Sequence, residues 1–231
     1  KDNVAFLGVC LLIVVAIFVV ASVTEKALRK KNSMPRTNSP ARRVALVGVF
    51  SAIAAVLMLF ELPLWFAPSF YELDFSEIPV LICAFAMGPV AGVLVCLLKN
   101  VLHLTISHTM WVGELSNFIL GVAFVVPVGL IYKKHKTKKG AVAALISGAV
   151  IMALVGVVSN YFIIYPLYDK LAFPMEVIVG MYTAILPQVT SLMQALIVFN
   201  LPFTFVKAMV SVLVTLFIYK PLSPVIKGTY R

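Results

Sequence analysis

A chain of 231 residues that is 62% hydrophobic and 12% charged is not a soluble globular domain, which would carry about twice that charged share. Nineteen Lys and Arg against nine Asp and Glu give a net charge of +10, but the positive residues cluster between apolar runs, where membrane topology places them, so the charge is not a nucleic-acid signal. The runs are continuous rather than alternating, which excludes a transmembrane β-barrel and leaves an all-α polytopic membrane protein.

Val4 to Val23 is long enough for one span. Ala21-Ser22 would suit signal-peptide cleavage, but cleavage would export Lys26, Arg29, Lys30, Lys31, Arg36, Arg42 and Arg43, a cytoplasmic set. The reading is therefore an uncleaved accessory span over 1–24 with its N-terminus outside. A basic cytoplasmic linker over 25–43 follows, punctuated by Pro35 and Pro40, and then the main membrane domain over 44–231. Cys10, Cys83 and Cys96 all lie in apolar runs without metal-ligand spacing and read as small core residues.

Val44 to Phe60 forms the second span. Ala45, Gly48, Ser51, Ala52 and Ala55 give it small residues at helical spacing, so another helix, of this chain or of a second subunit, can approach closely. Glu61 to Glu77 is an aromatic, acidic loop without Lys or Arg, which suits the external side; it is expected to pack back onto the bundle, as a lid or an interfacial anchor. Ile78 to Ala86 is closed by the turn signal Met87-Gly88-Pro89, and Val90 to Thr105 follows. In that segment Lys99 and His103 are four apart and share a face, which must point inward. His103, His108 and Glu114 match no metal-binding spacing, so no metal is expected.

Gly113 to Tyr132 carries Glu114 and Asn117 at its entrance and ends in the basic cluster Lys133 to Lys139, cytoplasmic like the first. Ala141 to Ile164 has Asn160 near its outer end; a buried amide there suits either a planar heterocycle with mixed edges or a helix–helix hydrogen bond. Gln188 to Phe199 reads as a short outer-leaflet helix. One helix from Ile185 to Tyr219 would reach about 50 Å, so a break is expected at Pro202, with Phe203 to Tyr219 as the last span. Lys207 falls in its first turns: a site candidate, with interfacial snorkelling as the alternative. Lys220, Lys227 and Arg231 place the C-terminus in the cytoplasm. Polar groups and aromatics thus converge on the external mouth, the expected shape of a small-molecule site. There is no phosphate-binding loop and no catalytic triad or carboxylate pair within a span, so no catalytic residues are assigned and the chain is not read as an enzyme.

Six segments carry a family resemblance: Leu73-Asp74-Phe75-Ser76-Glu77-Ile78-Pro79, Phe85 to Gly92, Leu98-Lys99-Asn100, Gly113 to Phe118, Asn160-Tyr161-Phe162 and Leu201 to Lys207. In this order and spacing, over about Arg43 to Lys227, they resemble the riboflavin-binding S component of energy-coupling factor (ECF) transporters. The resemblance implies a six-helix substrate-binding bundle in the bacterial plasma membrane, here with one extra N-terminal helix. It implies riboflavin as transported ligand, no cofactor, and a transmembrane T component and two cytosolic ATPases as partners. Carried over, the ligand residues are Leu73, Asp74, Phe75, Asn160, Thr204 and Lys207, with Asn117 and Tyr161 added from their place at the same mouth. The family commonly has Asn at the position of Thr204, a shorter side chain here. The stripe Ala45, Gly48, Ser51, Ala52 and Ala55 looks like the docking face for the T component. The alternatives are a different vitamin on the same scaffold, an autonomous secondary transporter, and an intramembrane enzyme using Lys99, His103 and Glu114.

Overall fold

A computed structural model describes residues 8, 12, 15, 16, 18–27, 40–64, 67, 68, 70–172 and 174–227. The expectations placed on Cys10, on positions 65, 66 and 69 of the aromatic, acidic loop, on the linker at 28–39, on Arg231 and on the side chains of Lys220 and Lys227 lie outside what is described. Among the described residues the fold is almost entirely helical. Helix α1 is seen over 18–27, followed by α2 (Pro40–Met58), a small hairpin of β1 (Leu62–Pro63) and β2 (Glu72–Leu73), α3 (Glu77–Met87), α4 (Pro89–His103), α5 (Val112–Lys134) and α6 (Lys138–Ser159). A π-helical turn (Asn160–Ile164) joins α6 to α7 (Tyr165–Leu171); α8 (Met175–Ile185) and α9 (Leu192–Ala195) follow, and a second π-helical turn (Leu196–Asn200) leads into α10 (Leu201–Lys227). Among the described residues, five helical stretches are long and apolar enough to cross a membrane. Their outward faces carry Val44, Val49, Ile53, Leu154, Val158, Leu213 and Phe217, an apolar coat that lipid rather than water would cover.

Local sequence explains the joints. Gly88 has φ +99°, a conformation that glycine adopts without strain, and Pro89 then occupies the first position of α4 with its ring preset for a helix. One turn on, a Cβ at Gly92 would stand 2.6 Å from Val125 Cγ2 and 2.9 Å from Ala84 Cβ, so only glycine lets α3, α4 and α5 meet there. The Thr137 hydroxyl caps α6 by accepting from the Gly140 N–H at 3.0 Å.

Two features depart from the expected course. Pro202 does not break the chain: the helix is continuous from Leu192 to Tyr219. The wider π turn before it explains why. Leu201 N–H bonds back to the Leu196 carbonyl, so the turn is already out of α register where the proline ring would otherwise clash. The second departure is at the N-terminus. Residues 25–27 continue α1 rather than starting a linker, and α2 begins at Pro40. Ala21 is packed among Val47, Phe50 and Ala54 of α2 and the α3–α4 core. The Glu25 carboxylate is buried at the α3–α4 joint, accepting from the Val90 N–H at 3.1 Å and lying 3.4 Å from Lys133 Nζ and 3.9 Å from Arg43. An anion at the first turn of α4 satisfies an orphan backbone N–H and meets the positive end of the helix dipole. The first helix is thus held to the bundle, not merely tethered to it.

The deepest polar contact joins three helices. Lys99 of α4 is fully buried and donates to Glu77 Oε1 at 2.6 Å in the first turn of α3, to Ser76 Oγ at 2.5 Å and to Asn117 Oδ1 of α5 at 3.2 Å. Replacing one member of such a pair leaves the other charged and unpaired. Lys99→Met should therefore lower stability by about 3–5 kcal/mol, and Lys99→Met with Glu77→Leu should recover most of it. Thermal unfolding of the detergent-solubilised protein reads both; a double variant no more stable than the single one would mean that the contact to Ser76 and Asn117, not the ion pair, carries the joint.

Candidate functional site

The end of the bundle opposite the Lys133–Lys139 cluster holds a cavity of about 450 Å³. Its walls are the hairpin, the ends of α4 and α5 with the turn between them, the α6–α7 junction and the start of α10. The polar side chains that line it include Glu61, Glu72, Asp74, Glu114, Asn117, Asn160, Asn200, Thr204 and Lys207; Phe70, Tyr71, Tyr165 and Phe203 supply aromatic wall.

Lys207 does not snorkel. Its ammonium donates to Asp74 Oδ2 at 2.7 Å and to the Glu72 carbonyl at 3.1 Å, fastening the hairpin to α10. Asp74 Oδ1 in turn accepts from the Ser76 N–H at 2.8 Å and from the Ser76 hydroxyl. Burial alone would raise the Asp74 carboxyl; the charges of Lys207 and Lys99 and the hydrogen bonds from Lys207 and Ser76 outweigh it and hold the group well below the ordinary carboxylate range. Because Ser76 also receives Lys99, the cavity wall and the three-helix joint form one chain of charge: Lys207, Asp74, Ser76, Lys99, Glu77.

Lys99 and His103 point inward, but to different partners. His103 Nδ1 is 2.9 Å from Glu114 Oε1 and its Nε2 is 3.5 Å from Glu61 Oε1. The other Glu114 oxygen accepts from Ser107 Oγ at 2.8 Å and Thr109 Oγ1 at 3.1 Å. Glu114 thereby holds the turn before α5, where Met110 and Trp111 have positive φ of 52° and 69° without being glycine.

The aromatic wall is fixed by hydroxyls. Tyr71 and Tyr182 hydroxyls are 2.8 Å apart, and Tyr165 bonds to Tyr182 as well. Burial pushes the Tyr71 phenol up from its ordinary range and outweighs the hydrogen bonds, which act to lower it, so it stays neutral. Phe203 stands edge-on to Tyr71 at 4.9 Å, and Phe70 lies edge-on to Tyr165 and Tyr182.

Of the eight residues singled out for ligand contact, Asp74, Asn117, Asn160, Thr204 and Lys207 line the cavity. Leu73 is paired with Leu62 across the hairpin, Phe75 packs against the α2–α5 core, and Tyr161 turns its ring to Phe162; none of these three is on the cavity wall. Asn200, Tyr71, Tyr165, Glu61 and Glu72 are on the wall without having been singled out. Asn200 carried a legible signal, an amide inside an apolar run. Tyr71 and Tyr165 carried none, because a tyrosine near a membrane interface is ordinary. The two wall asparagines sit at the two π-helical turns, Asn160 opening one and Asn200 closing the other. Such turns rotate the side chains that follow them out of α register and recur at functional sites.

In the small-residue stripe of α2, Ala45, Gly48 and Ala52 are exposed and Ala55 is half-buried, whereas Ser51 is buried and donates to the Val47 carbonyl at 2.7 Å. A Cβ at Gly48 would meet nothing within 4 Å.

Comparison with known proteins agrees with this architecture. The chain is 32% identical over 186 residues to "Riboflavin transporter RibU" of Staphylococcus aureus (strain TCH60), covering 80% of this chain and 93% of that protein. It is 35% identical over 130 residues to "Riboflavin transporter FmnP" of Bacillus subtilis (strain 168), covering 55% of this chain and 68% of that one. A solved structure, "Structure and mechanism of the S component of a bacterial ECF transporter", superposes with a TM-score of 0.66 at 32% identity, over 82% of this chain and 99% of the other. The family model for the ECF transporter substrate-specific component matches residues 42–219, which takes in every helix from α2 to the membrane-spanning part of α10 and the whole cavity, and the chain belongs to that family.

Proposed function

We propose that this chain is the riboflavin-binding subunit of an ECF transporter, taking the vitamin from outside the cell into the cavity under the hairpin. The observation that carries the reading is the cavity itself: about 450 Å³, within the roughly 300–1,000 Å³ of small-molecule sites, with aromatic rings at one side and amide, hydroxyl and ammonium groups at the other. A flat isoalloxazine needs the first and its polar edge and ribityl hydroxyls need the second. The names of the relatives point to the same ligand. The exposed Ala45, Gly48 and Ala52, with Ala55 beside them, would let a transmembrane T component approach the α2 backbone closely, and two cytosolic ATPases would supply the energy. With both basic clusters on the cytoplasmic side of the plasma membrane, the cavity opens outward and α10 ends inside.

On this reading the chain performs no chemistry of its own. The residues an intramembrane enzyme would need are committed to the fold, Lys99 to Glu77 and His103 to Glu114 and Glu61. Lys207 is the residue whose loss should be felt most. A charged hydrogen bond of about 1.5–3 kcal/mol corresponds to a loss of about 10- to 100-fold in affinity for Lys207→Ala, against a small change for His103→Ala. Riboflavin titration of the purified protein, followed by fluorescence quenching, measures this. A colourless protein that leaves riboflavin fluorescence untouched would remove the flavin and leave the family.

The hairpin is the lid of this site, and Glu72 gives it a pH dependence. Burial, then a hydrogen bond and charge repulsion from Glu61, raise the Glu72 carboxyl to about 7, with Asp74 adding to the rise and Lys207 opposing it. With the lid open and Glu72 in water the group returns to an ordinary carboxylate range near 4.5. The closed lid then binds the proton more tightly than the open one. Closure is fully favoured below about pH 4.5 and loses that contribution as pH rises through about 7. Riboflavin should dissociate faster at pH 8 than at pH 6, and Glu72→Gln should flatten the profile. Stopped-flow recovery of flavin fluorescence is the measurement; an unchanged profile in the variant assigns the dependence elsewhere.

A further inference from the structure

One side chain on the cavity wall carries a buried polar atom with no partner among the described residues. Asn200 closes the second π-helical turn and is only 4% exposed. Its carboxamide lies beside the Tyr71 hydroxyl, which is itself held by the Tyr182 hydroxyl. The amide oxygen, Oδ1, is buried and has no hydrogen-bond partner among the described residues. It faces α6 at Gly156, one of three glycines in that helix. A Cβ built on Gly156 would stand 3.3 Å from Asn200 Oδ1 and 3.6 Å from the Thr204 methyl. A buried carbonyl oxygen left without a donor is costly, and Asn200 is one of the residues that line the cavity.

We propose that Asn200 is a specificity residue for the ligand, its Oδ1 accepting from a neutral ring N–H of a planar imide. The inference rests on the riboflavin reading of the cavity and deepens it. The atom of the amide left unpaired in the buried wall is its oxygen, an acceptor, so the ligand must bring the donor. The flavin ring has one such donor, the imide N–H between its two carbonyls. The neighbours decide between the ring and the ribityl chain. Asn200 lies between Phe199 and Phe203, whose rings pack on Tyr182 and Tyr71, so it belongs to the aromatic side of the cavity where the flat ring fits. The hydroxyls of the ribityl chain suit the side lined by Lys207, Asn117 and Thr109. Burial among its neighbours restricts the amide before ligand arrives, so little ordering is left for binding to oppose.

The test compares riboflavin with 3-methylriboflavin, which lacks the imide N–H, by fluorescence titration of the full chain in detergent. The native protein should bind the methylated flavin at least about 100-fold more weakly, because a site built to hydrogen-bond a group rejects the analogue lacking it. Asn200→Ala removes the acceptor and leaves room for the methyl. It should bind riboflavin about 10- to 100-fold more weakly and bring the two flavins within about threefold of each other. Asn200→Asp keeps an oxygen in place and should retain the preference for riboflavin. Equal affinities in the native protein overturn the proposal, even if Asn200→Ala fails to fold. Discrimination that survives intact in a folded Asn200→Ala overturns it as well. Tight riboflavin binding accompanies both of those results, whereas a native protein that binds neither flavin overturns the flavin reading and this inference together.

Discussion

The ion pair between Lys207 and Asp74 is the contact on which the site depends. Neither group would be stable alone in so dry a place: an unpaired ammonium or carboxylate removed from water costs several kcal/mol, and a membrane interior offers no alternative solvent. Together they fix the hairpin against α10, and through Ser76 they are continuous with Lys99 and Glu77 at the centre of the bundle.

The second constraint is geometric. Two of the long helical stretches, 138–171 and 192–219, are longer than a hydrocarbon core of about 30 Å requires. Each carries its excess through a π-helical turn at the level of the cavity, and each turn presents an asparagine. Widening a helix by one residue costs backbone hydrogen-bond geometry, and it re-aims every side chain beyond the turn. That is how Asn160 and Asn200 reach the same cavity as Thr204 and Lys207. Asn160 already has Ser116 as a donor to its oxygen, at 3.3 Å, whereas Asn200 keeps its oxygen open.

At the other end of the bundle the first helix closes the α3–α4 joint. Glu25 supplies the anion that the start of α4 lacks, and Lys133 and Arg43 balance it. This places the additional helix beside α2, whose small residues Ala45, Gly48 and Ala52 remain uncovered.

Much of this protein is legible in its residues one by one. Hydropathy settles the all-α membrane fold, since only closed helical hydrogen bonding suits such continuous apolar runs. Charge placement orders the loops. Isolated polar residues in apolar runs, Asn160 and Lys207 among them, mark the site because each is too costly to be there without a partner. What the residues could not declare is which partner each one meets. Lys99 and His103 share a helix face, yet one serves the scaffold and the other the rim, because Glu77 and Glu114 arrive from different helices. Pro202 reads as a break and is instead absorbed by a π turn, a backbone choice that depends on neighbouring packing. Tyr71 and Asn200 become site residues only through contacts 111 and more residues away in sequence. Burial cost is local and can be read from the chain; the pairing that offsets it is made between distant segments, and only the tertiary structure decides it.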